Sequence, residues 1–188
     1  GSYTYAKSKG NTEGGVKSDI GQADTGTTQD FDYPELTVDS YGYLPNDRRH
    51  SLKLFGNYQI NDEWSVGANL LVQSGRPKNC LGVLELPDGS FHAYASSFFR
   101  CDGVPTPRGT EGRLSWSKNL DLNVAYKPAF AKGLQFKVDI FNVLNSQEVT
   151  AINEQVEDPS TGARVEIANL PLSFQAPRTV RFMIQYDF

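Results

Sequence analysis

The thiol and imidazole groups of this chain are few: Cys80, Cys101, His50 and His92. Cys80 and Cys101 bracket twenty residues within a longer stretch, 75–111, rich in Pro and Gly. Three chemistries are open to them: a disulfide in an oxidising compartment, two reduced thiols, or with His92 part of a zinc site, although one imidazole and two distant thiols lack the paired spacing of such a site. Asp24, Asp30 and Asp32 lie in a Gly/Thr/Gln-rich stretch and have the oxygen chemistry for calcium. Their spacing is not that of an EF-hand, and a flexible hydrated loop is the simpler expectation. In Asp47-Arg48-Arg49-His50 two guanidinium forks suited to phosphate stand side by side. There is no GxSxG, HExxH, phosphate-cradling Gly motif or CxxC. No catalytic residue, metal site or cofactor is therefore expected, and an enzyme is not supported. A net charge of -4 gives no reason to expect nucleic acid.

The elements that must hold these groups are strands. Residues 178–188, RTVRFMIQYDF, place Val180, Phe182, Ile184, Tyr186 and Phe188 on one face and Thr179, Arg181, Met183, Gln185 and Asp187 on the other. The same period of two runs through 2–9, 49–60, 64–74, 112–127 and 134–144, giving six candidate strands, with a bulge or strand end expected at Phe141-Asn142-Val143. Hydrophobic residues make up 38%, low for a conventional core, and no apolar run approaches the roughly 18 to 20 residues a membrane helix needs. Strands escape that test because only alternate residues meet lipid.

The connections alternate in length. Residues 61–63 and 128–133 are short; 10–48, 75–111 and 145–177 are long. Short turns at one end and long loops at the other are the pattern of an outer-membrane barrel with periplasmic turns and extracellular loops. The fold class expected is all-β: an antiparallel up-and-down transmembrane β-barrel segment. Near the short turns, Tyr58, Trp64, Tyr126, Phe136, Tyr186 and Phe188 fall on the lipid face at one expected height, a periplasmic aromatic girdle. Trp116 is the best candidate for the opposite girdle. The lumen face mixes Asp121, Asp139 and Asp187 with Lys53, Lys137 and Arg181, a hydrated wall without clear ion selectivity. An exported chain favours the disulfide for Cys80 and Cys101. Within that loop Leu84-Glu85-Leu86, Pro87-Asp88-Gly89 and residues 90–95 form a candidate hairpin.

Four segments carry a family resemblance: LPNDRRHSLKLFGNYQI (44–60), SGRPKNC (74–80), DIFNVLN (139–145) and RTVRFMIQYDF (178–188). Together, in this order, they resemble the end of a TonB-dependent outer-membrane receptor, most closely the Oar-like branch. The resemblance covers nearly the whole chain. It implies a barrel of about 22 strands, of which six would be a quarter, filled by a separate plug domain. It also implies active uptake of a substrate it does not identify, driven by the TonB complex acting through amino-terminal parts outside this chain. The cell outer membrane of a Gram-negative bacterium is the implied location. Val180, Phe182, Ile184, Tyr186 and Phe188 would be the signal read by the barrel-assembly machinery. Outer-membrane lipid is a further expected partner, with Arg48 and Arg49 as candidate contacts to lipopolysaccharide. Phe31, Tyr33, Tyr41, Tyr43, Phe91, Tyr94, Phe98 and Phe99 are candidates for substrate contact or for packing between loops. The chain opens directly in strand-like alternation, so plug and signal peptide are expected upstream. A passive porin or adhesion barrel, and a secreted glycan-binding β-sandwich, are the alternatives.

Overall fold

The computed structural model describes residues 1–187. Six antiparallel strands form one sheet in sequence order: β1 (Ser2–Tyr5), β2 (His50–Gln59), β3 (Trp64–Gln73), β4 (Ser117–Tyr126), β5 (Leu134–Phe141) and β6 (Thr179–Tyr186). Each pairs only with its neighbours in the chain, so the sheet is up-and-down and its outer edges, on β1 and β6, are unpaired among the described residues. Antiparallel succession puts all three long connections at one end and both short turns at the other. The turns are built by side chains as well as backbone. Asn61 Oδ1 accepts from the N–H groups of Glu63 and Trp64 at 3.0 and 2.8 Å, closing the first turn as an Asx turn. Glu63 then ties it to the second, accepting from the Lys127 N–H at 2.7 Å through its carbonyl and from the Ala129 N–H at 2.6 Å through its carboxylate.

Register sorts the two faces. Gly56, Ala68, Leu122, Ile140 and Val180 form one cross-strand row, and Tyr58, Val66, Val124, Val138 and Phe182 the next toward the turns. The opposite face carries Asn57, Gly67, Asn123, Asp139 and Arg181 in register. There Arg181 donates to Asp139 Oδ2 from Nε and Nη2 at 3.0 and 2.7 Å, and Lys137 lies 3.2 Å from Oδ1. The apolar face is bare: Phe182 is 77% exposed, Ile184 70% and Tyr58 68%. A soluble sheet would have to cover such a surface; a bilayer covers it with hydrocarbon.

Strand limits depart from the alternation at the loop end. β1 stops at Tyr5, because the last rung is the Ala6 N–H to the Arg49 carbonyl and β2 offers nothing beyond it. Residues Lys9–Gly10 pair instead with Gly42–Tyr43 as a small ribbon. β4 starts at Ser117 rather than at 112. Its β3 partner ends at Gln73, and pairing between the two segments resumes only as an isolated bridge of Pro77 with Arg113, flanked by bonds from the Leu114 N–H to the Arg76 carbonyl and from the Lys78 N–H to the Gly112 carbonyl, both 3.0 Å. β5 ends at Phe141, and Asn142 takes a positive φ of 49°. The side chain of buried Asn142 bonds the backbone of Ser146 and the Ala176 carbonyl, fastening both ends of the third loop.

Almost all the buried apolar residues lie in the loops. Leu36, Leu44, Leu81, Val83, Phe98, Phe99, Ile152 and Val156 are buried there, whereas among the described residues the sheet contributes only Ala125. The three loops thus make a cap with a small core of its own.

Candidate functional site: an interlocked loop cap

Charged side chains fasten the cap. Asp19, from the first loop, accepts from Arg108 of the second at 2.9 Å; Arg108 also donates to the carbonyls of Ser40 and Asn11 at 2.7 and 3.1 Å. Glu154, from the third loop, accepts from Arg76 and from the Asn79 N–H, both at 3.1 Å, and from Asn79 Nδ2 at 3.3 Å. Asn79 Nδ2 also reaches Asp19 at 3.3 Å, joining the two ion pairs into one network across all three loops. Glu157 accepts from the N–H groups of Val83 and Asp102 at 2.8 and 2.6 Å. Asp19, Arg76, Arg108, Glu154 and Glu157 are buried. Burial pushes the Glu154 carboxyl above its ordinary value, against the pull of Arg76 and the Asn79 N–H. Close backbone approach completes the fit: a Cβ on Gly42 would sit 1.9 Å from the Arg108 carbonyl oxygen, and one on Gly75 1.8 Å from that of Leu114.

A disulfide joins Cys80 to Cys101, with Cα atoms 5.5 Å apart. The thiols are consumed, so His92 has no zinc partners; its ring lies 4.9 Å from Tyr33, 5.8 Å from Tyr94 and 5.1 Å from Phe98. No cluster of metal-ligating side chains occurs among the described residues. Inside the disulfide loop the hairpin forms, with the Leu86 N–H bonded to Ser90 and the His92 N–H to Leu84 at 2.7 and 2.8 Å. Replacing both cysteines by serine should loosen the segment between them by about 3 kcal/mol, seen as hydrogen exchange on the order of 100-fold faster at the Gly82 and Phe98 amides. Unchanged protection would mean that the ion pairs alone hold it.

Part of the first loop is packed, where a flexible hydrated segment was expected. Asp30 is buried and paired with Lys17 at 3.1 Å, and Asp32 accepts from the Tyr94 hydroxyl at 2.6 Å, which raises the phenol above its ordinary value. Asp24 is exposed, and the three aspartates are not gathered into one metal-ligating group. Phe98 and Phe99 are 2% exposed and belong to the cap core; they are not available to a substrate. Phe31 and Tyr41 are exposed, Tyr33 is 46% exposed, and Phe91 and Tyr94 are half-buried.

Tyr58, Trp64, Tyr126, Phe136 and Tyr186 do share the apolar face, but in three successive rows rather than one. Trp64, Tyr126 and Phe136 are in register, Tyr58 pairs with Val66 one row nearer the loops, and Tyr186 pairs with Leu134 one row further out. Phe188 lies outside the described residues. A second aromatic cluster sits at the loop end of the same face. His50 stacks on Trp116 at 5.5 Å, packs against Tyr5 at 5.1 Å, and its Nδ1 is 2.7 Å from the Tyr3 hydroxyl.

Arg48 and Arg49 diverge. Arg48 turns under the cap, donating to the Ser74 carbonyl at 3.2 Å, and burial together with the charges of Arg76 and Arg113 lowers its pKa. Arg49 lies over the Tyr43 ring at 4.5 Å and 3.5 Å from Asp47. Asp47 also receives the Ser8 N–H at 2.7 Å and a bond from Arg113. Burial alone would raise its carboxyl; the Ser8 and Arg113 bonds, with the Arg113 and Arg49 charges, hold it below the ordinary 3.8. Its contribution to stability is thus fully present above pH 3.8 and is lost as the pH falls through the lower folded value. Protection of the Ser8 amide, corrected for intrinsic exchange, should drop across that range and be flat in Asp47→Asn.

A cavity of about 370 Å³ opens where the cap meets the polar face, lined by Asn119, Asp121, Phe141, Asn142, Gln175 and Thr179. Arg181, paired with Asp139, lies over the Phe141 ring at 5.3 Å beside this cavity. Neither this grouping nor the cap network, whose partners lie as far as 97 residues apart, has a signal in the local pattern of the chain.

Known proteins resemble this chain in sequence and in fold. The chain is homologous to the TonB-dependent transporter Oar of Myxococcus xanthus, with 29% identity over 99% of its length. It spans 20% of that relative. The closed form of the ferric-catecholate import receptor Fiu of E. coli K12 shares its fold at a TM-score of 0.51 and 18% identity, over 99% of this chain and 18% of that one. The first of these proteins is a transporter and the second an import receptor. No family model matches the chain.

Proposed function

We propose that this chain, a homologue of Oar, forms the carboxy-terminal part of the barrel of an outer-membrane TonB-dependent receptor that takes up a substrate from outside the cell. The observation that carries this reading is the pairing of a bare apolar sheet face with a polar face that opens under an ordered loop cap. Hydrocarbon satisfies the first face, and a hydrated lumen the second. The sheet makes about a quarter of a barrel of about 22 strands, and the unpaired edges of β1 and β6 are where the remaining strands join. The cap is then part of the extracellular vestibule, covering residues 10–48, 75–111 and 145–177, and the turns are periplasmic. Substrate passing the cap meets the cavity beside Arg181 and Phe141.

The parent protein would draw on the TonB complex through a plug domain outside this chain and would be inserted by the barrel-assembly machinery. Val180, Phe182, Ile184 and Tyr186, exposed along β6, present the face such machinery reads. Cysteines introduced at Phe31 in the cap and at Asp62 in the first short turn test the orientation in the full-length protein. In intact cells a membrane-impermeant maleimide should label the first and not the second. Labelling of Asp62→Cys alone, or recovery of the protein outside the outer-membrane fraction, would defeat the reading.

A further inference from the structure

At the loop end of β1 the residues Tyr3, Tyr5, Lys7 and Lys9 succeed one another at a period of two. Tyr3 and Tyr5 lie on the apolar face against His50, and the Lys7 ammonium stands 6.0 Å over the Tyr5 ring. Just beyond, one ring gathers three more cations: Lys9 at 4.4 Å, Arg49 at 4.5 Å and Arg113 at 5.6 Å from the centre of Tyr43. The Tyr43 phenol is held below its ordinary value, first by the Arg49 guanidinium beside it and then by the charges of Lys9 and Lys7. Among the described residues the acid paired with these cations is Asp47, buried and shared between Arg49 and Arg113. Lys7 and Lys9 are exposed, and neither has an ion-pair partner among the described residues. In a chain of net charge -4 this is a local excess of three positive charges.

The height of the cluster matters as much as its sign. It lies above a belt of Tyr3, Tyr5, His50 and Trp116, where ring side chains mark the boundary between hydrocarbon and headgroups. Cations immediately outside such a belt meet the phosphate layer of a lipid leaflet. We propose that Lys7, Lys9 and Arg49, arranged around Tyr43, form a binding site for the phosphate groups of an outer-leaflet glycolipid. This rests on the outer-membrane reading above, with the loops outside. Of the two adjacent arginines, Arg49 belongs to the site. Arg48 does not, because its guanidinium is turned under the cap onto the Ser74 carbonyl.

The test uses the full-length receptor containing this chain, purified in detergent. Binding of diphosphoryl lipid A, dephosphorylated lipid A and inorganic phosphate is measured by native mass spectrometry and competition. The wild-type protein should prefer diphosphoryl lipid A over the dephosphorylated form. Lys7→Gln/Lys9→Gln/Arg49→Gln should weaken diphosphoryl binding on the order of 100-fold and abolish the preference, whereas Arg48→Gln should leave it intact. The exposed pair Lys7→Gln/Lys9→Gln, which disturbs no ion pair, should lose on the order of 10-fold and serves where the triple variant misfolds. Equal binding of the two lipid A forms by the wild type, or a double variant indistinguishable from it, would overturn the proposal. Competition by inorganic phosphate as effective as by the lipid would reassign the site to a free anion. If the receptor still fractionates with the outer membrane, such failures touch this site alone; if it does not, the membrane reading itself has failed.

Discussion

Replacing Glu154 by alanine should release the loop cap while leaving the six-stranded sheet in place, at a cost of about 3–5 kcal/mol. The carboxylate accepts from Arg76, the Asn79 N–H and the Asn79 side chain, and its side chain has no solvent exposure. Removal leaves the buried Arg76 guanidinium without a counter-ion, holding the Pro77 carbonyl at 3.3 Å, and the Asn79 N–H without an acceptor. The loss should spread, because Asn79 also fixes Asp19 and offers no substitute acceptor to Arg76. Hydrogen exchange of the full-length protein reads this directly. The Leu81 and Val156 amides, bonded across the second and third loops, should lose protection, and amides in β3 and β4 should keep theirs. Glu154→Gln retains one carbonyl acceptor and should cost only about 1–2 kcal/mol. Full protection in the alanine variant would show that the apolar cap core and the disulfide suffice without the network.

Leu122→Arg should destabilise the barrel by up to about 4 kcal/mol, whereas Asn123→Arg, one residue along the same strand, should be near neutral. Leu122 lies in the middle row of the apolar face, between Ala68 and Ile140. Arginine there must hold its charge in hydrocarbon or thin the bilayer to reach water. Asn123 is on the other, polar face, in register with Asp139 and Arg181, where an added guanidinium reaches water. Urea unfolding of the full-length protein in lipid bilayers measures both. Equal costs for the pair, or a reversed order, would mean that the faces have been assigned the wrong way round.

The strands were legible because their signal is local. Leu120, Leu122, Val124 and Tyr126 alternate with Asn119, Asp121, Asn123 and Ala125 within one stretch of chain, and nothing distant is needed to sort them into faces. The short turns, the length of the loops and the pairing of neighbours came from the same local pattern. Strand ends at the loop side were less legible. Residues 6–9 and 112–116 carry the alternation, yet whether they join the ladder depends on how far the neighbouring strand extends, and that is a property of two segments at once. The girdle shows the same limit: the face of Tyr58 and Tyr186 was readable, but the rows they occupy depend on register.

The cap was the least legible part. Asp19, Asn79, Arg108 and Glu154 are ordinary loop residues by type, and each looks solvated until its partner is known. The separation of Arg48 from Arg49 was equally hidden, since adjacent guanidinium groups in the chain face different surroundings in space.

By itself, then, the sequence determined an antiparallel sheet with one apolar and one polar face, because a period of two in residue type becomes sidedness as soon as a strand forms. Only the tertiary structure decided that the loops are packed and ionically locked, and that the free positive charge at the rim gathers around Tyr43. Loop conformation is set by contacts between segments far apart in the chain, and no local pattern encodes which buried acid will meet which buried base.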